Sequence, residues 1–366
     1  MNDQRENPAA RTKPDATVRE ERSFLHHAIL FYAVGFLFLL IAGVVWLASD
    51  VLLLMFACIL VAVLLYDAAM RTGRWFHLRH EVALALVVAA IIAVIALATW
   101  MMAPQVARQM GELAAAMPQA VEHLRTEVQR YEFLRSLMEN LPPTDKLMSQ
   151  AASILSRTGL LFSGVLGTIG NIAIIAFVGI YLAAQPRIYI EGIVTLVPHR
   201  KRQRAREVFA ELGRTLGQWL FGKFISMLIV GVVTAIGLSL LGVPLALVLG
   251  LLAGLLDFIP YIGPIIAGVP AALMAFTESP TLALYTALLF LAVQVAEGYL
   301  LQPLIEKRSV SMPPALTIAM QVLLGTLFGL AGVALATPLT AVIAVLVTML
   351  YVQDVLGDPV KTPSEH

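Results

Sequence analysis

Eight stretches of the chain are apolar over at least the length that a bilayer crossing needs: 28–48, 51–70, 82–102, 159–184, 219–241, 244–277, 281–301 and 313–352. A helix of about 20 such residues spans the hydrocarbon core of a membrane. Inside it every backbone group must be satisfied by the protein itself, which leaves helices as the natural solution here. These runs therefore predict an all-α polytopic membrane protein of about eight segments. Composition agrees, with 59% of residues hydrophobic and 13% charged, against roughly half and a quarter in soluble domains.

The polar intervals set the organisation. Residues 1–27 carry five basic and five acidic side chains and lack the apolar core of a signal peptide, so they read as a disordered tail. The loop 71–81 holds three arginines against one glutamate, and 185–218 holds seven Lys/Arg against three acids. The positive-inside rule places both in the cytoplasm, together with the N-terminus. Residues 103–158, balanced at six basic and six acidic, then lie outside as a helical insertion between segments 1–3 (28–102) and segment 4 (159–184). In that insertion an apolar residue recurs every three or four positions from Val106 to Leu141, the stripe of an amphipathic helix. Pro118 predicts a kink and Pro142-Pro143 a stop. Such a helix lies on the membrane or on neighbouring spans, or faces another subunit. The basic loop reads as a topology determinant that contacts anionic lipid. Residues 219–352 form the remaining segments, and 353–366 a polar tail. Nothing accompanies the basic cluster that would bind nucleic acid.

Several chemistries are disfavoured. All seven histidines fall outside the apolar runs and Cys58 is the single cysteine, so no metal site, disulfide or cofactor is expected. Tyr66-Asp67 has the form of half an intramembrane aspartyl protease, but Asp257 sits in LLDF without a flanking GxGD. The chain is not expected to be an enzyme.

The stretch GLLDFIPYIGPIIAGVP (254–270) is the exception within the apolar runs. It packs Pro260, Pro264, Pro270, Gly254, Gly263, Gly268 and Asp257 into 17 residues. Prolines remove backbone donors and obstruct the preceding turn, and the carbonyls they free survive at membrane depth only inside protein or along a wet cavity. Transporters build midplane sites from such broken helices; a kinked, tightly packed structural helix is the alternative. Residues 311–342 resemble 242–273, with Gly329, Gly332 and Pro338 as candidate hinges beside Gly254, Gly268 and Pro270. If both segments cross the membrane they run parallel; if both are re-entrant they are inverted. Three ionisable residues fall within spans: Lys223, Asp257 and Glu297. Lys223 lies about five residues into its run, where snorkelling is expected. Glu297 lies near the end of its own, leaving interfacial and buried placements open. Asp257 is too short to snorkel, and a charge at that depth costs at least about 2.5–3.5 kcal/mol. Gln294 and Gln321 add polar groups.

DFIPYIGPIIAGVPAAL (257–273), LLGVPLALVLGLLAGLL before it, EGYLLQPLIEKRSVSMPPAL (297–316) and GLAGVALATPLTAVIAVL (329–346) resemble the autoinducer-2 exporter family, also called PerM-type permeases. The resemblance implies a bacterial inner-membrane exporter with about eight segments and a homo-oligomeric state, several members being pentameric. It also implies export of the signal autoinducer-2 in some members and sodium or lithium/proton antiport in others. Asp257, Pro260, Gly263, Pro264, Glu297 and the candidate hinge Pro303 match its pattern. Lys223 stands where many relatives carry a neutral polar residue, and a cation there disfavours a bound metal ion. The leading expectation is export of a small hydrophilic solute through the broken segment 244–277, with Asp257 binding it or carrying a coupling proton. Cation/proton antiport through Asp257 and Glu297 is the alternative within transport. A non-transporting oligomeric scaffold, held by the 104–141 helix and the basic loop, is the alternative of another class.

Overall fold

The computed structural model describes residues 47–128, 165–301 and 313–360, with residues 32, 35, 36, 40 and 43 ahead of them. The chain divides into Met1–Leu52 and Leu53–His366. The described positions of the first unit are helical apart from a turn at Ala48, and the second unit holds most of the helical structure. The helices are α1 (Ser49–Phe76), α2 (His80–Val128), α3 (Val165–Ala184), α4 (Pro186–Thr195), α5 (Arg202–Leu240), α6 (Ala246–Leu256), α7 (Ile262–Glu278), α8 (Pro280–Ala296) and α9 (Pro314–Leu346). A π-helical turn extends α8 over Glu297–Leu301 and another extends α9 over Val347–Gln353. No strand occurs among the described residues. Five helices are long and apolar enough to cross a membrane, or six if α3 and α4, bent by 80°, form one span. The protein is an all-α, multi-pass membrane protein.

Local chemistry sets the ends. Asp50 lies in the first turn of α1 and Arg74 in the last, each sign matching the helix dipole. His77, at φ 56°, turns the chain after α1 while Leu78 N–H bonds the Gly73 carbonyl at 3.0 Å. Gly242, at φ 75°, ends α5 in the same way, with Val243 N–H on the Leu238 carbonyl at 2.9 Å. Both are helix stops built on a left-handed residue. Pro280 opens α8 and Ser279 Oγ accepts the Leu282 N–H at 3.1 Å, a capped start with proline in the position it tolerates.

Helix α2 joins two segments that the sequence reading separates. The third apolar run and the described part of the amphipathic stripe are one 49-residue helix that runs through Pro104 and Pro118. Its Val106, Leu113 and Met117 pack on Val243, Val248, Leu249 and Met274, so this part of the stripe covers α6 and α7. Gln109 Oε1 accepts the Val248 N–H at 3.2 Å, answering one of the open donors at the start of α6. The continuation of the stripe to Leu141 lies outside the described residues.

Both proline-rich segments reverse direction. Along a continuous helix, residue 263 would stand about 10 Å beyond residue 256, and residue 332 about 12 Å beyond 324. Instead, a Cβ on Gly263 would overlap the Leu256 carbonyl, and one on Gly332 would overlap the Leu324 carbonyl. Each glycine lies where the returning arm touches the arriving one. The first hairpin is α6–turn–α7. Its turn holds Tyr261 at φ 65°, ψ −47°, with Ile262 N–H on the Pro260 carbonyl at 2.7 Å, a strained three-residue turn. The second hairpin is α9 itself, folded at Gly329 (φ 64°, ψ −147°). By length α9 counts among the five spans, but its arms, 314–328 and 330–346, are about 22–26 Å each.

Helix α5 relates the two hairpins. The open end of the first packs at the Leu240 end of α5, where Leu238, Val243, Ala246 and Ala275 share a core. The open end of the second packs at the Arg202 end, where Val208 meets Val345 and Met349. There Arg204 binds the Asp354 carboxylate at 2.9 Å and the Met349 carbonyl at 3.0 Å. The hairpins therefore enter from opposite ends, inverted, and Phe258 and Phe328 from their tips lie in one core with Leu220.

The glycines at the returns yield a stability prediction. Gly263→Ala and Gly332→Ala each press a methyl onto a backbone carbonyl and should destabilise by about 1–3 kcal/mol. Gly213→Ala, on α5 with open space around it, should stabilise by up to about 1 kcal/mol. Thermal unfolding of the three purified variants reads the difference.

Candidate functional site

Lys223 and Ser226 stand three residues apart on α5 and so share a face. Close approach brings them to the first hairpin. Gly254 of α6 lies against Gly231 and the Met227 carbonyl, and Gly250 against Ala235, with no room for a Cβ at either glycine. Small residues let membrane helices close to backbone contact. Asp257, the residue that ends α6, is thereby set against α5. Glu297 arrives from α8, at the first residue of the π-helical turn, a distortion that is frequent at functional sites.

These groups form one buried cluster. Lys223 Nζ lies 2.9 Å from Asp257 Oδ2 and 3.2 Å from Glu297 Oε1. Ser226 Oγ lies 3.1 Å from the same Asp257 oxygen and 3.0 Å from the same Glu297 oxygen. Gln294, one turn before Glu297, donates to its Oε2 at 3.1 Å. Asp257 is 0% exposed, Ser226 3% and Glu297 6%. Buried charges are tolerated when paired and hydrogen-bonded, and the cluster fulfils this except at Asp257 Oδ1, which is buried without a partner.

The second hairpin completes the surroundings. Gln321, on its arriving arm and 0% exposed, donates to the Pro260 carbonyl at 3.0 Å. Its Oε1 is a second buried acceptor without a partner. Each of these oxygens can accept from a group that brings a hydrogen-bond donor. Among the described residues no group of acids, histidines or cysteines could hold a metal ion.

Of the residues selected from sequence, Asp257, Glu297 and Gln294 lie in the cluster, and Gln321 and Pro260 join the second hairpin's arriving arm to the first hairpin's tip beside it. Gly263 is the return contact, while Pro264 falls in the first turn of α7, where a proline breaks no helical bond. Gly268 packs against Phe290, Pro270 sits within α7, and Gly254 is a helix-contact glycine. Gly329 is the turn of the second hairpin, and Gly332 and Pro338 are buried in its returning arm. Pro303 lies outside the described residues.

One placement corrects the sequence reading, and one open alternative is decided. Lys223 does not snorkel: its side chain is 10% exposed and ends between two carboxylates. Glu297 is buried rather than interfacial. Ser226 was missed altogether; its one available signal was its position three residues after an intramembrane lysine.

Known proteins share these segments. The family model described as "AI-2E family transporter" matches residues 36–351. The chain is 31% identical over 209 residues to "Putative transport protein YrrI" of Bacillus subtilis, covering 55% of this chain and 58% of that one. It is 30% identical over 185 residues to "Putative transport protein YueF" of the same organism, half of each chain. To "Putative transport protein YhhT" of Escherichia coli it is 24% identical over 277 residues, 73% of this chain and 77% of that one. The chain thus spans between half and three fifths of the length of the two Bacillus relatives. With the family model matching from before α1 to the end of α9, the protein belongs to the AI-2E transporter family.

Proposed function

We propose that the protein exports a small hydrophilic solute across the bacterial inner membrane by alternating access, with the Lys223–Ser226–Asp257–Glu297 cluster at the central site. The observation that carries this reading is the pair of inverted hairpins, joined where Gln321 on the arriving arm of the second donates to the Pro260 carbonyl at the tip of the first. Inverted repeats with broken helices at the midplane are how many secondary transporters open a fixed site to one side and then the other. By the positive-inside rule the Arg202 end of α5 is cytoplasmic. The second hairpin then guards the cytoplasmic side and the first the outer side.

The chemistry of the cluster supports a neutral or cationic solute rich in donors, because Asp257 Oδ1 and Gln321 Oε1 offer acceptors. An anion would meet two acidic side chains and an ammonium that both of them already occupy. Autoinducer-2, the solute that the family resemblance implies for some members, fits this class. Sodium or lithium/proton antiport remains the second reading, favoured by the two acids. Against it stands Lys223, which already occupies the position a bare cation would take. Anionic lipids at the basic loop and assembly into a homo-oligomer belong to the same proposal.

Reconstitution in proteoliposomes tests it. Vesicles loaded with autoinducer-2 should release it through the wild-type protein, and Asp257→Asn should abolish that flux while the protein still inserts and assembles. Undiminished flux in the variant would remove Asp257 from the site, and no flux from the wild type with assembly intact would favour a scaffold. Gln321→Leu removes one buried hydrogen bond, worth about 0.5–1.5 kcal/mol, and should lower flux by up to about tenfold. For the antiport reading, sodium or lithium pulses should dissipate an imposed pH gradient. An unchanged gradient with either ion would exclude it.

A further inference from the structure

A serine hydroxyl carries one proton and two lone pairs, so it can donate one hydrogen bond and no more. Ser226 Oγ nevertheless lies within hydrogen-bond distance of two carboxylate oxygens, Asp257 Oδ2 at 3.1 Å and Glu297 Oε1 at 3.0 Å. If both carboxylates were ionised, one of these oxygen pairs would have no proton between its members. In a buried site that contact is repulsive. Lys223 does not repair it: the ammonium makes its own contacts to the same two oxygens, leaving the Ser226 contacts to be satisfied separately.

We infer that the cluster carries one shared, exchangeable proton, held by Asp257 or Glu297 and passed between them through Ser226. In this state Ser226 accepts from the protonated carboxyl and donates to the ionised one. The cluster is then one ammonium, one carboxylate and one carboxylic acid, with a net charge of zero. Loss of the proton to solvent leaves a net charge of −1, and the proton belongs to the pair rather than to either acid.

No other described charge alters this count. Helix α9 has no charged residue in 314–346, α8 has none before Glu297, and α6 and α7 contribute only Asp257 and, at the far end, Glu278. Between residues 215 and 240 of α5, Lys223 is the only ionisable group. On α1, Asp67 is closed on Arg71 at 2.7 Å. Ser226 is thus a positioning residue for the proton, distinct from the acids that hold it. The count itself stands on geometry alone; only its consequence for flux rests on the transport proposal.

Infrared difference spectroscopy of the full-length protein in lipid nanodiscs tests the inference without any transported ligand. Between pH of about 6 and about 9, solvent-exposed Asp and Glu remain ionised, so a carboxylic-acid carbonyl band that disappears on alkalinisation reports a buried acid. The wild type should show one such band, shifted in D2O. Asp257→Asn and Glu297→Gln should each remove the whole band rather than half, because one remaining acid beside Lys223 has no need of the proton. Ser226→Ala should move the band to higher frequency through loss of a hydrogen bond, and Ser226→Thr should restore it. Elution as an intact assembly shows that each variant is folded. Absence of the band in the wild type, or its survival in both amide variants, would overturn the inference. If the band behaves as expected while no solute flux is found, the proton stands and the transport proposal falls.

Discussion

A peptide carbonyl released inside an apolar slab has nowhere to turn but to the protein, and the arrangement of this chain follows from that constraint. The first hairpin stops its arriving helix at Asp257 and turns through Pro260 and Tyr261. Such a turn exposes backbone that lipid cannot satisfy. Gln321 of the other hairpin answers the Pro260 carbonyl, and α5 closes on the arriving arm through Gly231, Gly250 and Gly254. The second hairpin thus helps to complete the turn of the first, and the place where that bond is made is also beside the charges.

The charges obey the same demand for partners. Desolvating a lone charged acid here would be prohibitive, and burying the acids beside an ammonium is tolerable when their oxygens find donors. Lys223, Ser226 and Gln294 supply three of the four carboxylate oxygens; Asp257 Oδ1 goes without. Breaking such a group by removing one member leaves a buried charge uncompensated, which is more damaging than never having had the pair. A site of this kind responds strongly to any group that enters it, because even a small change in donors alters which oxygens are satisfied.

Much of this could be read from residues alone, and what could not has a definite cause. Apolar length gave the fold class, and the clustering of Pro260, Pro264 and Pro270 located the break. A proline at 260, however, reads alike in a kink and in a reversal. The distinction lies in Gly263 touching the Leu256 carbonyl and Gly332 touching that of Leu324, and these are contacts between arms, invisible to any local pattern. Lys223 was misplaced for a related reason. Counted from the start of its apolar run it lies near an edge, but α5 begins at Arg202, so Lys223 is about 30 Å along a continuous helix. Its environment is set by the hairpin beside it. The run through Pro104 was lost similarly, because polarity changes there while the backbone does not.

Helix α5 carries both hairpins, one clasped near Val208 and the other near Ser226 to Leu238. It consequently acts as a gauge of phase as well as of length. One residue added between Val208 and Lys223 would lengthen it by about 1.5 Å and rotate everything beyond by about 100°. The first hairpin would still find glycines to close on, yet it would face away from the second, and Gln321 would no longer be opposite Pro260. The distance between the two clasps is in this sense written in whole helical turns, and drift in chain length here is far less tolerable than substitution.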